Sequence, residues 1–210
     1  GNGAASLIAE QIYKGLGCEV HSLYSEIDGN FPNHHPDPSK PENLSDLINL
    51  VKEKELEVGL AFDGDADRLG VVSKEGKIIF PDMQMVLFSN SVIKRNKSAK
   101  IVFDVKCSKL LPEAIEKGGG IPVMSKTGHS YIKDRMRQEN ALLGGEMSGH
   151  IFFNDRWPGF DDGVYAGARM LEIISSLGKE EDIFKGLPEL VSTSEINIET
   201  TDEEKFKIVE

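Results

Sequence analysis

The stretch Glu57-Val58-Gly59-Leu60-Ala61-Phe62-Asp63-Gly64-Asp65-Ala66-Asp67-Arg68 constrains this chain more than any other. Apolar residues at Val58, Leu60 and Phe62 have the period of a strand. The strand then empties into a tight loop with a carboxylate at every second position: Asp63, Asp65 and Asp67. Three acids this close repel one another unless a cation sits among them, and ligands that are all oxygen suit a hard ion such as Mg²⁺. Gly64 and Ala66 are small enough for the backbone to wrap closely. Arg68 sets a fork of donors beside the metal, a pairing suited to a phosphate held by both. The plain alternative is a solvated acidic turn between strands. An EF-hand loop also begins Asp-x-Asp-x-Asp, but with Asp63 as its first position Arg68 falls where Gly is needed and Lys74 where a bidentate Glu is needed.

A chain of 210 residues, 39% of them hydrophobic, is long enough for one large core or two ordinary ones. Its 24 basic residues stand against 35 acidic ones, a net charge of −11, which argues against a general nucleic-acid or anionic-membrane surface. Cys18 and Cys107 are the only cysteines and read as buried free thiols, which fits a reducing, cytoplasmic setting. There is no apolar run of the roughly 20 residues that a membrane span needs, and nothing marks export.

The chain opens on Gly1-Asn2-Gly3, followed by an amphipathic run through Leu7, Ile8, Gln11, Ile12 and Leu16 that stops at Gly15 and Gly17. A glycine turn feeding a helix ordinarily follows a strand, so the sequence reads as beginning just after one. Glu19 to Tyr24 alternates as a strand, and 28–41, with four prolines, reads as a long loop. The adjacent His34 and His35 diverge and suit loop ordering or a substrate rim better than a metal. Asn43 to Asp46 opens a helix through Leu47, Ile48 and Val51. Leu69 to Val72 and Ile78 to Phe80 flank a hairpin turn. From Pro81 strand and helix alternate: a helix through Ile93, a strand over 100–105, a helix over 110–117, and a strand over 121–124. Further strands follow at 141–144 and 151–153, and then a helix over 162–177. This predicts two consecutive α/β domains with mixed, mostly parallel sheets, since each parallel return needs a crossover. The expected bounds are 1–80, 81–189, and a linker plus opening strand over 190–210, with that strand at Ile196 to Ile198.

Two further loops carry candidate chemistry. Ser125-Lys126-Thr127-Gly128-His129-Ser130 lies between a strand and a helix, at the carboxyl-end position where open α/β sheets place ligands. Lys126 and His129 there suit an anionic or hydroxylated ligand; a structural histidine is the alternative. Gly144-Gly145-Glu146-Met147-Ser148-Gly149-His150 puts a carboxylate, a hydroxyl and an imidazole on alternating positions of a turn. That suits recognition of vicinal hydroxyls beside a proton-transfer group, against the plain reading of an exposed hairpin turn. Lys106 adds a third cation at the same sheet edge.

The strings Asp63-Gly-Asp-Ala-Asp-Arg68, Lys126-Thr-Gly-His129 and Gly145-Glu-Met-Ser-Gly-His150, in that order, resemble the α-D-phosphohexomutases, most closely the bacterial phosphomannomutase/phosphoglucomutase branch. Gly1-Asn-Gly3, Phe31 to Pro38, Asp104-Val-Lys-Cys107 and Trp157 to Gly163 strengthen the resemblance, which covers the whole chain. It implies the second domain of four without its first strand, the whole third, and the start of the fourth.

The resemblance also implies a reaction. A phosphoserine gives its phosphoryl group to a hexose monophosphate, the hexose 1,6-bisphosphate reorients, and the opposite phosphate returns to the serine. On this reading Asp63, Asp65 and Asp67 hold Mg²⁺, while Arg68 offsets charge on the transferring group. Glu146 and Ser148 bind sugar hydroxyls, His150 relays a proton, and Lys106, Lys126 and His129 meet the substrate. The phosphoserine loop belongs to the first domain and a phosphate-binding loop to the fourth, so this chain alone is expected to be inactive. Two alternatives stay open: a non-catalytic module binding a divalent metal and sugar phosphates, and a mutase preferring an amino-sugar phosphate, against which Glu146-Met-Ser148 counts.

Overall fold

A computed structural model describes residues 1–176, 182–187, 200, 201 and 204. After a 3-10 turn at Ala4–Leu7 come helix α1 (Ala9–Gly15), a second 3-10 turn at Pro41–Leu44, and α2 (Ser45–Glu53). Strand β1 (Val58–Phe62) pairs antiparallel with β2 (Leu69–Ser73), and β2 pairs antiparallel with β3 (Ile78–Ile79). Pro81 then starts α3 (Pro81–Arg95), where its missing N–H costs nothing. The alternation continues as β4 (Lys100–Asp104), α4 (Leu110–Gly118), β5 (Ile121–Ser125), α5 (His129–Glu139), β6 (Leu143–Gly145), β7 (Ile151–Phe153) and α6 (Gly163–Ser175). The second sheet has the order β5-β4-β6-β7, with β4 parallel to both neighbours and β7 antiparallel to β6. The carboxyl ends of β4, β5 and β6 therefore open on one side, where such sheets bind ligands.

One core joins the two sheets. Leu69, Val71 and Ile79 of the first pack in the same buried cluster as Met85, Phe88 and Val92 of α3, Ile101, Phe103, Leu143 and Phe153 of the second sheet, and Ala166 and Met170 of α6. Phe88 and Phe153 meet edge to face at 5.1 Å, an arrangement that their ring quadrupoles favour. On the other face of the second sheet, Val102, Val123 and Phe152 are covered by Ile132 and Met136 of α5. Shared packing of this kind fixes the sheet ends relative to one another, because dense interiors do not deform gradually.

Two expectations for the N-terminal region need correcting. Glu19 to Tyr24 is not a strand; it runs as irregular chain held by Asn2, whose N–H donates to the Tyr24 carbonyl at 2.6 Å and whose side-chain amide donates to the Glu26 carbonyl at 2.8 Å. A strand needs a neighbour for its backbone groups. Among the described residues β1 is paired along one edge only, and a groove lined by Val20, Leu23, Leu47 and Leu60 runs between it and this segment. The opening helix also buries a different face from the one its large aliphatics predict. Ala5, Ala9 and Tyr13 face inward, while Leu7 is 68% and Leu16 60% exposed. Tyr13 decides the rotation: its hydroxyl donates to the Val164 carbonyl at 2.9 Å and its ring stacks on Phe62. The strand predicted over 141–144 lies at Leu143–Gly145. The linker and strand expected from Leu190, including Ile196 to Ile198, and Leu177 of the last helix lie outside the described residues.

Glu172 on α6 gathers Arg156, Arg95 and Arg169. The Arg156 hydrogen bonds first, and then Arg95, hold its carboxyl down to about 2, against an ordinary 4.5. A depressed folded-state value contributes stability above the unfolded value that is lost as pH falls through the folded one. Its side chain is 38% exposed, so solvent screens the contribution to a modest size. Glu172→Gln should lower the urea midpoint at neutral pH and flatten its decline between pH 4.5 and about 2; an unchanged acid limb would show that the cluster contributes nothing.

Candidate functional site

The acid loop is set by the end of β1. Asp63, 3% exposed, takes the Arg68 N–H on Oδ1 at 3.0 Å and the Arg68 Nε–H on Oδ2 at 2.7 Å, closing the loop on itself. Ala66 sits at φ 68°, in the left-handed region, and its carbonyl accepts the Gly163 N–H at 2.9 Å, which ties the loop to the start of α6. A Cβ at Gly163 would lie 2.7 Å from the Arg68 carbonyl oxygen and 2.8 Å from that of Ala66, so only glycine permits this approach. The structure brings Asp63, Asp65 and Asp67 together, with ligand atoms within 4.8 Å of one another. Burial acts to raise the Asp63 carboxyl, but its bonds to Arg68 hold it below the ordinary value. Burial and then Asp63 push Asp67 up to about 6. Acids that oppose each other's ionisation, offering only oxygen, fit a hard divalent cation, whose charge would relieve that opposition.

The acid loop is joined directly to the Gly145–His150 turn. Arg68 and His150 form an antiparallel bridge, and the Leu69 N–H donates to the Gly149 carbonyl at 3.1 Å. His150 Nε2 lies 3.3 Å from Asp67 Oδ1, while Nδ1 lies 2.8 Å from Ser148 Oγ and 3.3 Å from Glu146 Oε2. Burial disfavours the charged imidazole, but Glu146, Asp67 and Asp161 outweigh it and raise its pKa above the ordinary 6.5. Glu146, 1% exposed, is turned inward, and its Oε1 accepts the Gly128 N–H at the start of α5. A carboxylate is favoured at a helix N-terminus.

His129 stacks on His150 with ring centroids 5.7 Å apart, and its Nδ1 lies 3.7 Å from Asp161. Lys106 and Lys126 are exposed on the loops that follow β4 and β5. The Lys126 side chain makes no ion pair or hydrogen bond among the described residues, so Lys126 borders the cluster rather than belongs to it. His34 is edge-on to Tyr24 and its Nδ1 is 2.9 Å from the His35 carbonyl, a loop-ordering arrangement. Cys18 and Cys107 are free, and burial raises the Cys107 thiol well above its ordinary value.

Three acids at the site escape a reading of motifs. Asp37, on the proline-rich loop, takes Arg68 Nη1 at 3.1 Å. Asp161 takes Lys133 Nζ at 3.2 Å beside His129 and forms, with Asp67 and His150, a second group of three convergent ligand atoms. Asp104 is fully buried at the end of β4. All three lie within strings that the family resemblance uses, Phe31 to Pro38, Asp104 to Cys107 and Trp157 to Gly163, but nothing in their spacing says where the side chains go.

Two sheets sharing a core, with acid, imidazole and hydroxyl loops converging at their ends, define an α/β protein with a candidate ligand site at the sheet ends. The family model for phosphoglucomutase/phosphomannomutase α/β/α domain II matches residues 1–76, and that for α/β/α domain III matches residues 80–191. The chain belongs to the phosphoglucomutase/phosphomannomutase family. It is 58% identical over 211 residues to a phosphomannomutase/phosphoglucomutase of Pseudomonas syringae, covering 100% of this chain and 45% of that one. It is also 58% identical to a phosphoglucomutase of Neisseria gonorrhoeae, over 94% of this chain and 43% of that one. A crystal structure of a phosphoglucomutase/phosphomannomutase family protein from Burkholderia thailandensis superposes with a TM-score of 0.88 at 54% identity, over 91% of this chain and 42% of that one. The chain thus spans rather less than half the length of these relatives. No helix among the described residues is long and apolar enough to cross a membrane.

Gly149 at φ 102° carries the joint between the two loops, and a Cβ there would meet the Leu69 carbonyl oxygen at 3.2 Å. Gly149→Ala should cost about 1–3 kcal/mol in urea unfolding, through strain and the loosened Arg68–His150 bridge. The Leu69 amide should lose hydrogen-exchange protection with it; retained protection would show that the joint does not depend on this glycine.

Proposed function

We propose that this chain supplies the metal- and sugar-binding part of a phosphomannomutase/phosphoglucomutase, an enzyme that interconverts hexose 1-phosphates and hexose 6-phosphates through a phosphoserine and a hexose 1,6-bisphosphate. The observation that carries the reading is the junction of the acid loop with the Gly145–His150 turn, where His150 Nε2 lies 3.3 Å from Asp67. A place for a cation and a group able to move a proton stand side by side. Kinship with relatives named phosphomannomutase/phosphoglucomutase supports it. The proposed domain division is 1–80 and 81–189, with the phosphoserine and the distal phosphate anchor supplied by segments outside these residues.

Asp63, Asp65 and Asp67 would hold Mg²⁺, which when bound offsets charge on a transferring phosphoryl group. Arg68, kept in place by Asp63 and Asp37, directs its guanidinium beside that group. His150, raised above its ordinary pKa by the surrounding acids, is the group that takes up and passes on a proton. Glu146 and Ser148 both address its Nδ1, and the Glu146 carboxylate, one of the residues that take up sugar hydroxyls, also helps to raise the imidazole. Glucose and mannose differ only at C2, and a clamp on the hydroxyls they share accepts either. Lys106, Lys126 and His129 line the path of a phosphate presented from either end of the sugar. Holding donor and acceptor in place is worth about 7–11 kcal/mol of barrier in favourable cases, which is the contribution expected of such a surface.

The metal assignment is tested by titrating Mn²⁺ and following water relaxation. The chain should show a saturable site that Asp65→Asn weakens at least about tenfold, because one of three anionic ligands is lost; equal binding by both would refute it. The sugar assignment is tested with glucose 6-phosphate and mannose 6-phosphate, read from amide shifts in the 126–129 and 145–150 loops. Glu146→Ala should weaken both ligands alike. A loss confined to one epimer would mean that Glu146 reads C2.

A further inference from the structure

Asp104 has a place in the fold that motif chemistry does not account for. It ends β4, is 0% exposed, and its side chain takes donors from three separate loops. Cys107, in the loop after β4 that carries Lys106, donates from Sγ to Oδ1 at 3.1 Å. Thr127, between Lys126 and His129 in the loop after β5, donates from Oγ1 to Oδ2 at 3.1 Å. Met147, between Glu146 and Ser148 in the loop after β6, donates its N–H to Oδ1 at 3.3 Å. Each donor sits directly beside a residue proposed above to meet the sugar phosphate.

We propose that Asp104 is a positioning residue: its buried carboxyl group ties the Lys106, Lys126–His129 and Glu146–Ser148 loops into one substrate-facing surface. This rests on the functional reading just given and adds to it the element that sets the spacing of the substrate contacts. The three loops leave parallel strands at the same sheet end, and nothing in strand pairing itself holds loops together beyond the last ladder bond. A buried carboxyl left without partners is costly, so the site is stable only when all three loops deliver their donors together. The tie is therefore cooperative, and a displacement of one loop is felt by the other two. The hydrogen bond from the Gly128 N–H to Glu146 adds a direct strut between the second and third loops. Asp104 itself, enclosed at the floor, does not touch the ligand.

The test uses amide hydrogen exchange on the whole 210-residue chain, with Asp104→Ala, Asp104→Asn and Thr127→Val. Asp104→Ala should speed exchange across 105–108, 126–128 and 146–149 by about tenfold or more, while α3 amides stay within about threefold. Asp104→Asn should stay near the parent, because the amide oxygen still takes Met147 and Cys107 and the Thr127 hydroxyl can turn to accept. Thr127→Val, which leaves the core intact, should release 126–128 most, with a smaller acceleration passed through Asp104 to 105–108 and 146–149. Loops as protected in Asp104→Ala as in the parent, acceleration spread equally over α3, an Asp104→Asn as loose as Asp104→Ala, or an unmoved 126–128 in Thr127→Val would each overturn the tie. Glucose 6-phosphate titration separates positioning from mere structure: Asp104→Ala should weaken it about tenfold with Mn²⁺ binding unchanged, and undiminished sugar binding by a chain with released loops would overturn the positioning role. A parent chain that binds no glucose 6-phosphate would count against the functional reading alone, and the exchange pattern would still decide whether Asp104 ties the loops.

Discussion

Repulsion among Asp63, Asp65 and Asp67 is the constraint to which the surrounding structure answers. Three carboxyl groups within 4.8 Å oppose one another's ionisation, and burying one of them makes the opposition stronger. The fold answers with Arg68, which takes both oxygens of Asp63 and then reaches Asp37 on a different loop. It answers again by pulling the Ala66 carbonyl onto the Gly163 N–H, so that the strained left-handed turn is over-determined from both sides. What remains unrelieved is Asp67, pushed up to about 6, and that residue is the one aimed at His150. The leftover electrostatic demand sits where a cation and a proton carrier would meet.

That meeting depends on the two sheets being fixed to each other, and the shared core does the fixing. Leu69 and Val71 on β2 pack with α3, α6 and the second sheet in one cluster, so the strand leaving the acid loop is rigid with respect to the strand pair that carries the Gly145–His150 turn. The Arg68–His150 bridge then joins the two loops by backbone bonds alone. Side chains at such a joint need not search for one another. Their separation is set by packing that would cost several kcal/mol to disturb.

The acid loop, its entering strand and the order of elements from α3 onward were legible because their signals are local: alternation, a proline at a helix start, carboxylates at every second position. Cys18 and Cys107 likewise read as free thiols from their number and strand-like flanks, though both are partly exposed rather than fully buried. The N-terminal region was less legible, since the inward face of α1 is chosen by the Tyr13 hydroxyl finding the Val164 carbonyl 151 residues away, and no local count of aliphatics contains that. The run 19–24 alternates like a strand but has none to pair with, and alternation says nothing about partners. Asp37, Asp104 and Asp161 are single acids in strings without a chemical signature. Their roles arise only when distant loops close on Arg68, Thr127, Met147 and His129.

The inward turn of Glu146 preorganises the turn that carries His150. One oxygen holds the Gly128 N–H at the start of α5, and the other faces His150 Nδ1 together with Ser148 Oγ. Each oxygen of a carboxylate has two lone-pair directions, so a sugar hydroxyl can bind without displacing the helix bond. What it competes with is the contact to His150. A hydroxyl that draws Glu146 toward itself would remove part of what raises the imidazole, while Asp67 on the opposite ring nitrogen would continue to hold it. On the proposed reading, a sugar hydroxyl at Glu146 on one side of the ring and a cation near Asp67 on the other would both reduce the electrostatic support for the protonated form.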